Sequence, residues 1–251
     1  MARSNGKRGT QNSRSNRASR GEEKVVKEKF MEERIERINT KPLVPMNEKQ
    51  RDYIRKINTH STVLACGWPG TSKTYIPTVM ACDAYLTGEV EKIIFTRPNI
   101  SNSKSLGFFS GDKLEKCRNW LMPVISILNE RLGKNTVDIA LKNEDIEFVP
   151  LETIKGNSFK NAFFIVDEAE DITREEAKKI ITRVGEGTKC CLVGDLGQSE
   201  LGKNSGLKML IEMANKYPHL DVGVVDFNHV NDIVRSKSVR DWIIAFNKEE
   251  K

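Results

Sequence analysis

Residues 61–74, STVLACGWPGTSKT, constrain the fold more than any other stretch of this chain. A β-branched and apolar run from Ser61 to Cys66 meets a Gly/Pro turn, and Lys73-Thr74 then opens a helical pattern. Strand, tight turn and helix in that order form a phosphate-binding loop. Backbone N–H groups of the turn and the helix N-terminus face one point and favour an anion there. The pattern G-x-x-x-x-G-K-[ST] is met by Gly67, Trp68, Pro69, Gly70, Thr71, Lys73 and Thr74, while Ser72 stands where the second glycine belongs. Lys73 is expected to reach the β- and γ-phosphates and Thr74 to hold Mg²⁺. If the loop needs a left-handed backbone at Ser72, the side chain costs roughly 1–2 kcal/mol. Without a ligand, the same residues would make an ordinary strand-turn-helix.

The carboxylates come later. Asn161 to Glu168, NAFFIVDE, ends a buried strand on two acids. In open α/β sheets the carboxyl ends of the strands are where ligands bind. Asp167 is expected to bind Mg²⁺ and Glu168 to polarise an attacking water. The alternative for Asp167 is a simple cap on the following turn. A further strand, Cys190 to Gly194, runs into Asp195-Leu196-Gly197-Gln198, where Gln198 is placed to sense a γ-phosphate or orient water. Upstream, Asn47 and Gln50 have capping-box spacing. The nearby loop gives the Gln50 amide a second possible role, reading adenine through its paired donor and acceptor.

Between these motifs, strands at 61–66, 92–97, 146–151, 162–167, 189–194 and 221–227 alternate with helices at 74–86, 113–130, 174–183, 205–216 and 230–247. Continuous apolar strands alternating with amphipathic helices predict a doubly wound, mostly parallel α/β sheet. Thr173 with Glu176 makes a capping box, Gly88 and Gly185 sit at helix stops, and Pro77 falls near a helix start.

The net charge of +6 is unevenly placed. Residues 1–20 carry Arg3, Lys7, Arg8, Arg14, Arg17 and Arg20 with no acid, so the rest of the chain sums to zero. Residues 1–21 hold no large apolar side chain beyond Met1 and are expected to form a disordered basic arm. Such an arm suits sequence-blind contact with a phosphate backbone, or serves only solubility. Residues 22–44 are expected to be a charged helix and linker, and 45–251 the folded domain. No apolar run reaches membrane-span length, and no signal-peptide pattern opens the chain. Five scattered cysteines without a C-x-x-C pair argue against a disulfide framework or a zinc site, and for a reducing compartment such as the cytoplasm.

Taken in order, these stretches resemble the PhoH-like family of P-loop ATPases, phosphate-starvation-inducible relatives of superfamily 1 helicase motor domains. The resemblance runs from about Pro45 to Trp242. It is carried by GWPGTSKT, the triplet Thr96-Arg97-Pro98, LGFFSGD at 106–112, Pro150-Leu151 and Lys155-Gly156. AFFIVDEAED, Thr182–Gly185 (TRVG), VGDLGQ and Asp232–Arg235 (DIVR) complete the series. It implies one RecA-like domain that binds ATP with Mg²⁺, hydrolyses it and couples to RNA, with Gln50 matching the helicase adenine-reading glutamine. Ser72 departs from the family pattern, as does Lys155-Gly156-Asn157 where an Arg-Gly-Arg-like triplet is expected. The short length resembles the compact bacteriophage-encoded versions.

Helicase motors complete their site with an arginine from a second such domain, and this chain has room for one. The resemblance therefore implies a homo-oligomer, possible as a ring, with Arg183 or Arg235 as the arginine supplied in trans and Arg97 a weaker third candidate. Two other functions fit parts of the pattern. A nucleotide-gated scaffold with little turnover would be consistent with Ser72. A small-molecule kinase would need an Arg-rich lid and an acceptor pocket, which the sequence does not display.

Overall fold

A computed structural model describes residues 41–98, 113–154, 156 and 158–249, and within this range the side chains of 113–121 and 152 are not described. The expected basic arm, all but the end of the expected helix and linker over 22–44, the 106–112 stretch, Lys155 and Asn157 lie outside the described residues.

The described body alternates strands and helices. In chain order it runs α1 (Glu48–Thr59), β1 (Thr62–Gly67), α2 (Tyr75–Thr87), β2 (Lys92–Thr96), α3 (Lys113–Leu132), α4 (Lys134–Lys142) and β3 (Ile146–Phe148). Then follow β4 (Ala162–Val166), α5 (Arg174–Ile181), β5 (Lys189–Gly194), α6 (Gly206–Lys216), β6 (Val222–Phe227) and α7 (Lys237–Glu249). The strands form one six-stranded sheet in the order β3-β2-β4-β5-β1-β6, with every pairing parallel. This is the parallel α/β architecture that the apolar strands predicted, and it agrees with the single RecA-like domain that the resemblance implied.

The burial of β1, β4 and β5 explains why those strands are apolar throughout. Their residues are buried along nearly the whole length because helices cover both faces. Successive side chains point to opposite faces. Val63, Ala65, Ile93, Phe95, Phe163 and Ile165 pack with Tyr53 and Ile57 of α1 and with Leu128 and Leu132 of α3. Leu64, Ile94, Phe164, Val166 and Leu192 pack with Ala177 and Ile180 of α5 and Leu207 of α6. Edge strand β6 alternates instead, with Val225 and Phe227 buried and Asp226 exposed.

Helix boundaries follow the expected chemistry at several points. Thr173 and Glu176 form the full capping box at α5, and Gly88 closes α2 in the left-handed region at φ 74°. Pro77 is the third residue of α2, within the first turn where proline is tolerated, and the Lys73 carbonyl that its missing N–H leaves accepts from the Tyr53 hydroxyl instead. Three expectations need correction. Residues 134–142 form a helix that the sequence reading left unassigned, started after Gly133. The strand expected over 146–151 ends at Phe148, and a 3₁₀ turn takes Leu151–Thr153. The helix expected over 230–247 is broken: a 3₁₀ turn at Val230–Asp232 precedes Ile233 in extended conformation, and α7 starts only at Lys237. The break is tertiary in origin, since the Val234 N–H donates to the Gly70 carbonyl of the phosphate loop at 2.9 Å.

The order of the sheet brings β4, β5 and β1 side by side in that sequence. Their carboxyl ends carry Asp167-Glu168, Asp195 and Gly67, so the three motif-bearing strand ends are neighbours.

Candidate nucleotide site

The loop is held from three sides. At its start, the Trp68 N–H donates to the Phe227 carbonyl of β6 at 3.1 Å. Here Gly67 has φ 134°, and a Cβ on it would meet the Phe227 carbonyl oxygen at 2.4 Å, so only glycine fits against β6. From α1, the Gln50 amide donates to the Thr71 carbonyl at 3.3 Å and the Tyr53 hydroxyl to the Lys73 carbonyl at 3.1 Å. The Thr71 hydroxyl closes the turn on the Trp68 carbonyl at 3.0 Å. Ser72 sits at φ 70° and its carbonyl accepts from the Ile76 N–H at 3.1 Å. The loop therefore does require at Ser72 the left-handed backbone that glycine adopts without cost.

Lys73 folds back over the loop, its Nζ donating to the carbonyls of Gly67 at 2.5 Å and Trp68 at 2.7 Å. Burial lowers its pKa from the ordinary lysine value, against the opposing fields of Asp195, Cys66, Glu170 and Asp167. Among the described residues its hydrogen-bond partners are these two carbonyls, while the acids Asp195, Glu170 and Asp167 act on it through their fields. A phosphate would offer it a stronger, charged acceptor.

The Thr74 hydroxyl donates to Asp167 Oδ1 at 2.8 Å. A hydroxyl and a carboxylate brought together at a helix N-terminus form an all-oxygen pair, the donor set a hard cation such as Mg²⁺ selects. Thr74 and Asp167 are the residues that would hold it. Asp167 is itself fixed by its N–H, which donates to the Thr96 carbonyl of β2 at 2.9 Å.

Glu168 follows in a left-handed conformation, φ 50° and ψ 40°, and forms an ion pair with Arg97 at the end of β2. Burial raises its pKa above the ordinary carboxyl value; Arg97 works in the opposite direction, and Asp167 and Asp171 add to the rise. On the next strand end, Asp195 is buried and organises the loop after β5. Its Oδ1 accepts from the Gly197 N–H at 3.0 Å and its Oδ2 from the Gln198 amide at 2.8 Å. Gln198 itself is exposed. A cavity of about 340 Å³ opens beside these groups, lined by Cys66, Trp68, Asp195, Leu196, Gly197, Asn228 and Asn247.

The PhoH-like protein family matches residues 42–247, which span the whole described site. The chain belongs to the PhoH-like family. It is 34% identical over 202 residues to a PhoH-like protein of Bacillus subtilis, covering 80% of this chain and 62% of the relative. Against a PhoH-like protein of Synechocystis the values are 33% over 206 residues, 80% and 61%. Against Protein PhoH of Escherichia coli K12 they are 33% over 213 residues, 83% and 59%. The chain thus spans about 60% of the length of these curated relatives. Membership agrees with the loop geometry in marking this as a P-loop domain of nucleotide-binding type.

Seen as a PhoH-like site, the structure gathers Gly67 to Thr74, Asp167 and Glu168 at one sheet edge. Gln50 touches the loop, and half of the expected capping box is present. Asn47 caps α1 through the Gln50 N–H at 2.8 Å, while Gln50 Oε1 accepts from Met46 rather than Asn47, at 2.9 Å. With its amide nitrogen on Thr71, both ends of the Gln50 side chain are engaged within the protein, so reading a base would require these bonds to open.

The three arginines separate. Arg97 pairs with the Glu168 of its own chain. The stem of Arg235 lies on the phosphate loop of its own chain, since a Cβ on Gly70 would come within 2.8 Å of Arg235 Cγ. This placement, accompanied by the bond between Val234 and Gly70, sets the stem of Arg235 beside the phosphate loop of its own chain. Arg183 lies at the opposite end of the sheet, where its carbonyl accepts from Phe159 ahead of β4 and its guanidinium donates to the Gly156 carbonyl.

The sequence reading passed over Glu170, Arg97 as a partner of Glu168, and Tyr53. The signal for Glu170 was present as the third of four acids in DEAED. Among the described residues no helix is long and apolar enough to cross a membrane, and Cys66, Cys82, Cys190 and Cys191 are free, buried thiols.

Proposed function

We propose that this protein is a Mg²⁺-dependent ATPase coupled to single-stranded nucleic acid, RNA in the first instance. The observation that carries the hydrolytic half is the bond between Thr74 and Asp167 at 2.8 Å, next to a Lys73 whose hydrogen-bond partners among the described residues are loop carbonyls. When bound between Thr74 and Asp167, Mg²⁺ would neutralise charge on the phosphate oxygens. The chain supplies the rest. Lys73 leaves the Gly67 and Trp68 carbonyls for the phosphates, the N-terminus of α2 presents its amides, and Glu168 accepts a proton from the attacking water.

The nucleic-acid half is supported by the six positive charges of residues 1–20 and by an aromatic pair on α7. Trp242 and Phe246 stack at 5.6 Å and are 62% and 57% exposed, a surface on which bases can stack. An oligomer with an arginine supplied in trans completes the reading. Arg183 is the better candidate for that role because it lies away from its own chain's site, whereas Arg235 does not.

The Arg97–Glu168 ion pair supports a second reading, in which nucleotide is held with little turnover because the base is engaged by a cation. Phosphate release measured with and without single-stranded RNA separates the two. Lys73→Ala is expected to abolish nucleotide binding, and Glu168→Gln to keep binding and lose turnover. Equal nucleotide affinity in wild type and Lys73→Ala would overturn the site assignment.

A further inference from the structure

Glu170 is the most deeply buried acid at the strand ends, 7% exposed, and its Oε2 has no hydrogen-bond partner among the described residues. It lies in the short 3₁₀ turn Ala169–Asp171 that begins at the strained Glu168. The carboxyl does not point to solvent. It crosses to β5, where a Cβ on Gly194 would strike Glu170 Oε2 at 2.3 Å and the Glu170 nitrogen at 2.7 Å. The absence of a side chain at Gly194 is what lets the carboxyl and the turn lie against the strand end.

The backbone around it is tied to the same neighbour. The Ser199 hydroxyl donates to the Glu170 carbonyl at 2.9 Å and to Asp171 Oδ1 at 3.3 Å, and the Glu200 N–H donates to Asp171 Oδ1 at 2.8 Å. Farther along, the Gly206 N–H donates to the Ile172 carbonyl at 2.7 Å. Thus the turn that carries Glu168 and the loop that carries Asp195 and Gln198 are joined along one seam, with the Glu170 carboxyl at its buried end. A left-handed Glu168 persists only where its surroundings over-determine it.

We propose that Glu170 is a positioning residue, whose buried carboxyl spans the ends of β4 and β5 and holds Glu168 and the Asp195–Gln198 loop as one unit beside the phosphate loop. The proposal rests on the ATPase reading of the site for its catalytic consequence, and on packing alone for the clamp itself. Burial supports it, pushing the Glu170 carboxyl up to about 7, while the backbone amides of Glu170 and Asp195 favour its charged form. The charged groups facing it are Glu168 and Asp171, which add to the rise, and Lys73, which feels its field. In the folded protein the clamp is therefore neutral below pH 7 and charged above it. Its unfolded value lies near that of an ordinary glutamate. Stability from this group is full at low pH and is lost as pH rises from about 4.5 to about 7.

The test compares wild type, Glu170→Gln and Glu170→Ala in two kinds of measurement. Without nucleotide, thermal unfolding is followed from pH 5 to pH 8. Glu170→Gln keeps the shape and cannot ionise, so its melting temperature should rise relative to wild type as pH rises, and level off above pH 7. With ATP, Glu170→Gln should keep turnover within about threefold of wild type at pH 6.5, where the wild-type carboxyl is largely neutral. Glu170→Ala should lose kcat by tenfold or more with KM within about twofold, since Lys73 and Thr74 still hold the phosphates.

A melting difference between Glu170→Gln and wild type that does not change with pH would overturn the clamp. So would a Glu170→Ala enzyme with unchanged kcat, or with losses confined to KM. If Glu170→Ala fails to fold, the pH-dependent comparison with Glu170→Gln decides. A wild-type protein that binds but never hydrolyses ATP would sink the ATPase reading alone, and the nucleotide-free melting curves would still judge the clamp.

Discussion

Replacing Ser72 with glycine tests how the loop stores strain. Ser72 has φ 70° in a loop that the chain itself holds through Phe227, Gln50 and Tyr53, so the cost of the left-handed backbone belongs to the fold rather than to the ligand. For an L-residue that cost is roughly 1–2 kcal/mol. Glycine removes it but gains freedom in the unfolded chain, which offsets about 0.5–1 kcal/mol. The net expectation for Ser72→Gly is a stabilisation of about 1 kcal/mol, or about 2–4 °C in melting temperature for a chain of this size. Strain present in both free and bound states cancels in binding. Affinity for ATP should therefore move by less than about threefold, about 0.6 kcal/mol. The assay pairs nucleotide-free thermal unfolding with an ATP titration, and Ser72→Ala serves as a control that keeps the strain while removing the hydroxyl. A tenfold gain in affinity at unchanged melting temperature would refute the reasoning, because it would locate the strain in the bound state only. A large loss in Ser72→Ala would show that the hydroxyl itself contacts the ligand.

Three further outcomes are expected. Arg97→Ala should raise the Glu168 pKa further, since Arg97 is the group opposing burial, so the acid limb of the pH–turnover profile should move to higher pH; an unmoved limb would remove Arg97 from the site. Deleting residues 1–20 should weaken RNA binding and flatten its salt dependence while leaving basal ATPase unchanged; an unchanged slope would reduce the arm to a solubility segment. Mixing Lys73→Ala subunits with Arg183→Ala subunits, each inactive alone, should restore activity if the site is shared, whereas constant specific activity on dilution to monomer would exclude a trans arginine.

The sequence alone determined the parts of this protein that depend on local pattern. Apolar runs such as AFFIV can be satisfied only by a strand covered on both faces, and helices of 3.6 periodicity between them leave little besides a parallel α/β sheet. The phosphate loop was equally legible, since Gly67, Lys73 and Thr74 act through spacing along the chain, whereas the sequence raised the left-handed backbone at Ser72 only as a condition that the structure then met. What only the tertiary structure decided depends on strand order. The neighbours β2-β4-β5-β1 bring Arg97 to Glu168 and Glu170 to Gly194, pairs separated by 71 and 24 positions, and no local signal encodes such distances. The same holds for Arg235, whose place on its own loop follows from the 2.9 Å bond between Val234 and Gly70, the contact that also interrupts the expected last helix. Periodicity describes one element against a generic core; which side chains meet at the sheet edge is set by how the elements cross, and that is where the chemistry of this site resides.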